Sequence, residues 1–312
     1  GELIGLQDSW LFKLAVNETP VAVADNYSLP EDSDLASINV IANDTDTEND
    51  TLLLKSINYS GTGTVSVNSD GLSINYTPKP NFNGTETIRY TVSDGNTSDS
   101  SGVLTIEVTP VNDAPESKGD IIEVNEGGLI SILQNGETSL LHNDIDIEDA
   151  VLTTIIEQNP SNGLLVLNSD GTFSYQHDGS ETTTDSFTYK ANDGELDSNI
   201  STVTIIINPI NDNSPSSINI TSNTVEENAS NITVGELYTT DIDLPVDSHT
   251  FELISGEGDT DNEKFSISGT NLTLLTNLDY ETNPNVSVRI KVIDQNNNSY
   301  EDSLVINIID VN

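Results

Sequence analysis

Apolar residues recur at every second position in short runs along the whole chain. Leu104, Ile106 and Val108 form one run, Val203, Ile205 and Ile207 a second, and Leu304, Ile306 and Ile308 a third. Companion runs lie upstream: Ile88, Tyr90 and Val92, then Phe187 and Tyr189, then Val288, Ile290 and Val292. A period of two sends successive side chains to opposite faces, so each run predicts a β-strand with one buried face. The tetrapeptide NSDG at 68–71 separates VSV from LSINY, and NSDG at 168–171 separates LLVL from TFSY. Asp-Gly between apolar runs predicts a hairpin at each place. No segment carries a 3.6-residue pattern. About seven short strands per hundred residues, joined by turn residues, predict an all-β fold of sandwiches.

Four markers repeat at one spacing. An Asn in an Asn-Asp or Val-Asn signal falls at Asn112, Asn211 and Asn312, steps of 99 and 101. Asp-x-Asp pairs fall at Asp44/Asp46, Asp144/Asp146 and Asp241/Asp243, steps of 100 and 97. An isolated Asp closes an apolar run at Asp94, Asp193 and Asp294, and a Glu near each start falls at Glu31, Glu126 and Glu227. A shared period near 100 residues predicts three tandem domains, 20–113, 114–213 and 214–312. Residues 1–19 are too few for a fourth. Trp10, Phe12 and Leu14 alternate there like a last strand, so this segment is expected to be the C-terminal strand of a preceding repeat, with Trp10 a packing residue.

Charge changes the picture next. The 312 residues carry 52 acidic and 9 basic side chains, a formal net charge of −43. So acidic a surface repels nucleic acid and anionic membranes. Disorder would explain the charge only if β-branched residues and alternation were scarce, and both are abundant. The carboxylates are therefore expected to be held against bound cations. No Cys is present, which excludes disulfides and thiolate metal sites. No stretch approaches the roughly 20 apolar residues of a membrane span. Residue 1 is not Met and no leader precedes the first repeat, so the chain is expected to be part of a longer protein.

The third repeat resembles a cadherin repeat through VEEN (225–228), DID (241–243), LDYE (278–281), VID (292–294) and DVN (310–312). The first two look like the bacterial cadherin-like tandem repeats of large secreted adhesins of the RTX, type I secreted kind. Their marks are IANDTDTENDTL (41–52), residues 69–95 and VNDAP (111–115). Over 20–312 the resemblance implies tandem Greek-key β-sandwiches, cadherin-like and Ig-like, in an extended rod with Ca²⁺ between successive domains. At the first junction it implies ligands at Glu31, Asn112, Asp113, Asp144, Asp146 and Asp193. At the second it implies Glu126, Asn211, Asp212, Asn213, Asp241, Asp243 and Asp294. Glu227, Asp279, Glu281 and Asp310 would form half a site, completed by a following domain, and Asp44, Asp46 and Asp94 are the first repeat's equivalents. Two departures matter. Fifteen residues before the isolated Asp, where the third repeat has Asp279, the first two have Lys79 and Asp178. Asp178 can still serve and Lys79 cannot. The linkers depart too: VNDAP is one residue shorter than the cadherin linker, and Pro209 stands where Asp310 leads the last one, so fewer ions are expected at the first junction than at the second.

The chemistry agrees with that implication. Calcium takes six to eight oxygens, mixing carboxylates, amides and carbonyls. Asp and Asn also favour turns, which accounts for any one of these residues more easily than for a set repeated three times. The loops Asp44-x-Asp46-x-Glu48-x-Asp50 and Asp144-x-Asp146-x-Glu148 are either further ion sites or solvated acidic loops. His142, His177 and His249 lie in different motif positions and read as surface or turn residues. Without a G-x-S-x-G elbow, H-E-x-x-H or phosphate loop, and with paired carboxylates recurring in every repeat, catalysis is not expected. The expected function is that of a monomeric, calcium-stiffened spacer in an extracellular bacterial surface adhesin, its partners calcium and flanking repeats. Two rivals are a glycan- or protein-binding third domain and homophilic cadherin-type adhesion. The second lacks a strand-swapping Trp within the complete repeats.

Overall fold

The computed structural model describes residues 16–96, 98–243 and 248–311. Trp10 and its neighbours lie outside them. The chain divides into two compact units, Gly1–Asp113 and Ala114–Asn312. The first holds one β-sandwich and the second holds two.

In the first unit, β1 (Asp25–Pro30), β7 (Asp99–Thr109), β6 (Gly84–Ser93) and β3 (Leu53–Asn58) make one sheet in that order. Strands β2 (Ala36–Asn39), β5 (Ser73–Thr77) and β4 (Thr64–Val67) make the other. In the second unit, β10 (Thr153–Gln158), β13 (Thr184–Asn192), β14 (Ser201–Asn208) and β8 (Asp120–Asn125) repeat the first sheet. The three strands β11 (Gly163–Leu167), β12 (Phe173–His177) and β9 (Leu129–Ile130) repeat its partner. The last sandwich pairs β16 (Thr224–Glu226), β22 (Ser299–Ile309), β21 (Asn285–Ile293) and β18 (Thr250–Leu253) against a second sheet. That sheet is β15 (Asn219–Ile220), β17 (Ile232–Tyr238), β20 (Asn271–Leu274) and β19 (Phe265–Ser268), one strand more than its counterparts.

In every sandwich the opening strand of the sheet that holds the closing strand lies parallel to it: β1 on β7, β8 on β14, and β16, which follows the short β15 of the other sheet, on β22. This pairing brings the residue after the opening strand beside the segment that leaves the domain. The alternating runs fill the three cores as their period requires. Val203, Ile205 and Ile207 are buried while Ile206 between them is 36% exposed. Both NSDG segments close antiparallel hairpins, β4–β5 and β11–β12. Gly71 and Gly171 take φ of +66° and +80°, the left-handed region that costs other residues about 1–2 kcal/mol. Asp70 Oδ1 accepts the Leu72 and Ser73 amides at 2.8 and 3.0 Å, fixing the first of these turns.

Candidate metal centres

The parallel pairing fixes one carboxylate per sandwich. Glu31, Glu126 and Glu227 each follow the opening strand directly, and their amides donate to Thr109, Asn208 and Ile309 at 2.8, 2.9 and 3.0 Å. Their side chains turn inward, 3, 3 and 5% exposed. Each accepts the amide two residues past the closing strand: Val111 on Glu31 at 2.9 Å, Ile210 on Glu126 at 3.3 Å, Val311 on Glu227 at 3.2 Å. A buried Glu thus grips the exit segment three times over.

In the second unit Glu126, Glu181 and Asp212 bring carboxylate oxygens within 4.8 Å of one another, and so do Asp241, Asp243 and Asp294. Asn213, in the linker between the two sandwiches, touches both groups. Its side-chain nitrogen donates to Glu181 at 2.7 Å and to Asp243 at 2.8 Å, and its amide donates to Asp243 at 3.3 Å. Asn296 and Asn298 donate to the carbonyl and side chain of Asn211. Asp294 sits in a turn where its oxygens accept the Asn298 amide and side chain at 2.7 and 2.8 Å. His249 contacts Asp241 Oδ2 at 2.8 Å.

Three of these carboxylates are unfinished. Glu126 Oε1, Glu181 Oε2 and Asp243 Oδ2 are buried without a hydrogen-bond partner. An orphaned buried carboxylate oxygen is costly unless a cation or donor faces it. Burial first, and then the charges of Glu126, Asp243 and Asp212, hold the Glu181 carboxyl above its ordinary value. An all-oxygen set of carboxylates with nearby Asn amides fits a hard cation.

A third group, Glu227, Glu281 and Asp310, lies at the far end of the last sandwich. Its own amide opposes the shift, but Asp279, burial and Glu227 together hold the Glu281 carboxyl above its ordinary value. Asp279 itself is tied into the turn, accepting the Glu281 amide at 3.1 Å and Thr282 Oγ1 at 2.6 Å.

The residues expected on the entry side of the earlier sandwiches form no such triads among the described residues. Asp44 Oδ1 accepts the Val23 amide at 2.7 Å, Asp46 Oδ1 accepts the Glu48 and Asp50 amides, and Asp94 accepts Asn17 and the Asn96 amide. Asp144 repeats the Asp44 arrangement with the Lys118 amide at 2.8 Å, Asp146 repeats Asp46, and Asp193 accepts the Glu195 and Leu196 amides. Asp44, Asp46 and Asp146 each keep one buried oxygen without a partner. Asn112 donates to the Asp113 carbonyl at 3.3 Å. Near Glu31, Asn83 approaches at 3.5 Å, a neutral side chain where the second sandwich brings Glu181.

Two residues differ from the sequence reading. Asp178 does not join the Glu126 group; its carboxylate accepts the Ser180 amide at 3.0 Å, 48% exposed. Glu181 takes the place, because the turn after β12 carries position 181, not 178, toward the linker. His177, read as a surface or turn residue, is buried with its side chain 0% exposed. The overlooked signal was the period: Phe173, Tyr175 and His177 fall on one face of β12.

No helix among the described residues is long and apolar enough to cross a membrane. Residues 17–107 match the bacterial Ig domain model, and residues 112–209 match the bacterial cadherin-like domain model. No curated protein sequence matches the chain. Among solved structures, protocadherin gamma B2 extracellular cadherin domains 3–6 align with 94% of this chain and 73% of theirs, at 16% identity and a TM-score of 0.56. The human desmocollin-1 ectodomain aligns with 91% of this chain and 60% of its own, at 20% identity and a TM-score of 0.46. The gamma B2 likeness is one of fold.

Proposed function

We propose that this bacterial cadherin-like repeat protein is a calcium-dependent extender segment of an extracellular adhesin, not an enzyme. The observation that supports this best is the pair of carboxylate groups on either side of Asn213, three of whose buried oxygens have no hydrogen-bond partner. Glu126, Glu181 and Asp212 from one sandwich and Asp241, Asp243 and Asp294 from the next would hold the ions. Asn211 and Asn213 would add neutral oxygens. Bound calcium supplies the positive charge that allows these groups to stay together, so the linker stiffens when the ion arrives.

Glu227, Glu281 and Asp310 offer the same half-set toward a following repeat, and Glu31, Asn112 and Asp113 are the corresponding candidate ligands of the first repeat, as Asp144, Asp146 and Asp193 are of the second. The boundaries 20–113, 114–213 and 214–312 make each repeat one sandwich plus its exit linker. Extracellular modules bind calcium at about 10⁻⁴ to 10⁻³ M. Such joints are slack at cytosolic calcium and firm outside the cell, which suits a Cys-free chain of an RTX-type, type I secreted protein at the bacterial surface.

Small-angle X-ray scattering of residues 1–312 tests the reading. A compact globule of this length has a radius of gyration of roughly 20 Å, and three sandwiches end to end about 35 Å. A calcium-induced narrowing to one stiff, extended profile, reversed by chelator, is expected. A profile indifferent to calcium refutes the role.

A further inference from the structure

The two carboxylates that lead the second junction, Glu126 and Glu181, repel each other and arrive on separate turns. One buried side chain joins those turns. His177 Nδ1 accepts the amide of Gly127, the residue after Glu126, at 3.0 Å, and the amide of Gly179 at 3.3 Å. A ring nitrogen that accepts two amides carries no proton, which assigns the neutral tautomer with hydrogen on Nε2. That nitrogen lies 3.0 Å from Oγ1 of Thr182, the residue after Glu181, and donates to it. The His177 amide also donates to the Gly128 carbonyl at 3.0 Å, and the side chain of Gln176 donates to the Gly127 carbonyl at 2.6 Å. The imidazole is therefore a brace with one arm on each ligand-bearing turn.

The other two sandwiches lack this brace. Register sets Gly163 opposite His177 and Leu164 opposite Gln176, and sets Thr64 opposite Thr77, so Pro78 holds the matching place in the first sandwich. Leu274, paired with Phe265 as His177 is with Gly163, holds it in the third. Neither side chain can hydrogen-bond. The first sandwich presents Asn83 to its buried Glu and has no like charge to hold there, whereas the third gathers Glu281 and Asp310 beside Glu227 without a brace.

We propose that His177 is a positioning residue of the second junction, holding Glu126 and Glu181 in a metal-ready arrangement before the cation binds. This rests on the calcium reading above. Outer partners that orient metal ligands typically govern 10- to 100-fold in affinity. Its loss should thus cost about tenfold at this junction and nothing at the other sites.

Calcium titration of residues 1–312, followed site by site through amide NMR signals, tests it. His177→Leu should weaken calcium at the second junction about tenfold while the Glu227–Glu281–Asp310 group binds as before. His177→Asn places an acceptor near the Nδ1 position and should recover part of the loss. Thr182→Val leaves the buried ring in place, removes the hydroxyl that faces Nε2 at 3.0 Å together with its contact to Ser180 Oγ, and should weaken binding a few-fold. It decides the matter if His177→Leu fails to fold. Wild-type affinity at the second junction in a folded His177→Leu or in Thr182→Val overturns the proposal, as does an equal loss at every site. Absence of calcium binding in the wild-type chain overturns the metal reading itself, and the brace with it.

Discussion

Neutralising Asp243 should stabilise the protein without calcium and weaken it with calcium. Asp241, Asp243 and Asp294 bring oxygens within 4.8 Å of one another, and Asp243 and Asp294 are 4 and 5% exposed. A pair of unit charges at that distance repels by about 3 kcal/mol at an effective dielectric of ~20, and by about 1 kcal/mol in water. Asp243→Asn removes two such pairs and keeps the oxygen that accepts Asn213. Side-chain rotation and counter-ions absorb part of the strain in the ion-free chain, which leaves a net gain of about 2 kcal/mol. For a domain of this size that raises the melting temperature by roughly 10 °C. With calcium at about 10 mM, ten- to hundredfold above the expected dissociation constant, the ion contributes about 1.4–2.7 kcal/mol to the wild type, and the variant forfeits much of it. Scanning calorimetry of residues 1–312 in chelator and in calcium reads both signs. If Asp243→Asn shifts the third sandwich's transition equally in both buffers, crowded charge relieved by a cation is the wrong account.

Other expectations follow from single sites. Ile205→Ala, at a fully buried position of the second core, should cost about 2–5 kcal/mol, seen as a lowered transition for that sandwich alone. Gly171→Ala should destabilise more than Gly95→Ala in parallel urea titrations. Both have positive φ, but a Cβ at 171 would lie 2.3 Å from Ser139 Oγ and one at 95 meets nothing within 4 Å. Glu181, raised above its ordinary value by burial and by its acidic neighbours, should release a proton when calcium binds on the acidic side of neutrality. In chelator its sign is opposite. The folded protein holds that proton more tightly than the unfolded chain, so the contribution is full below the unfolded value and is lost as pH rises through the folded one. Calorimetry in buffers of different ionisation enthalpy, on wild type and Glu181→Gln, checks the release, and identical proton counts would remove Glu181 from the site.

Most of the scaffold was legible because strand burial has a period of two that survives in any sequence with one wet face. Ile205 and Ile207 buried around an exposed Ile206 is that period in miniature. The early Glu residues were legible for a related reason. Parallel pairing of the opening and closing strands sets Glu31, Glu126 and Glu227 against the exit segment, so their chain spacing reports a fixed point of the topology. Glu181 escaped because turns carry no period. Counting fifteen residues back from Asp193 lands on Asp178, yet the turn beyond β12 presents position 181, three residues later, to the linker. His177 had a period to betray it, on the face shared by Phe173 and Tyr175, but a polar side chain in a buried slot reads as an exception until its partners are known. Those partners are backbone amides, Gly127 and Gly179, which sequence identity does not mark. What a linear reading misses here is local and backbone-made, and it lies where two turns must hold like charges side by side.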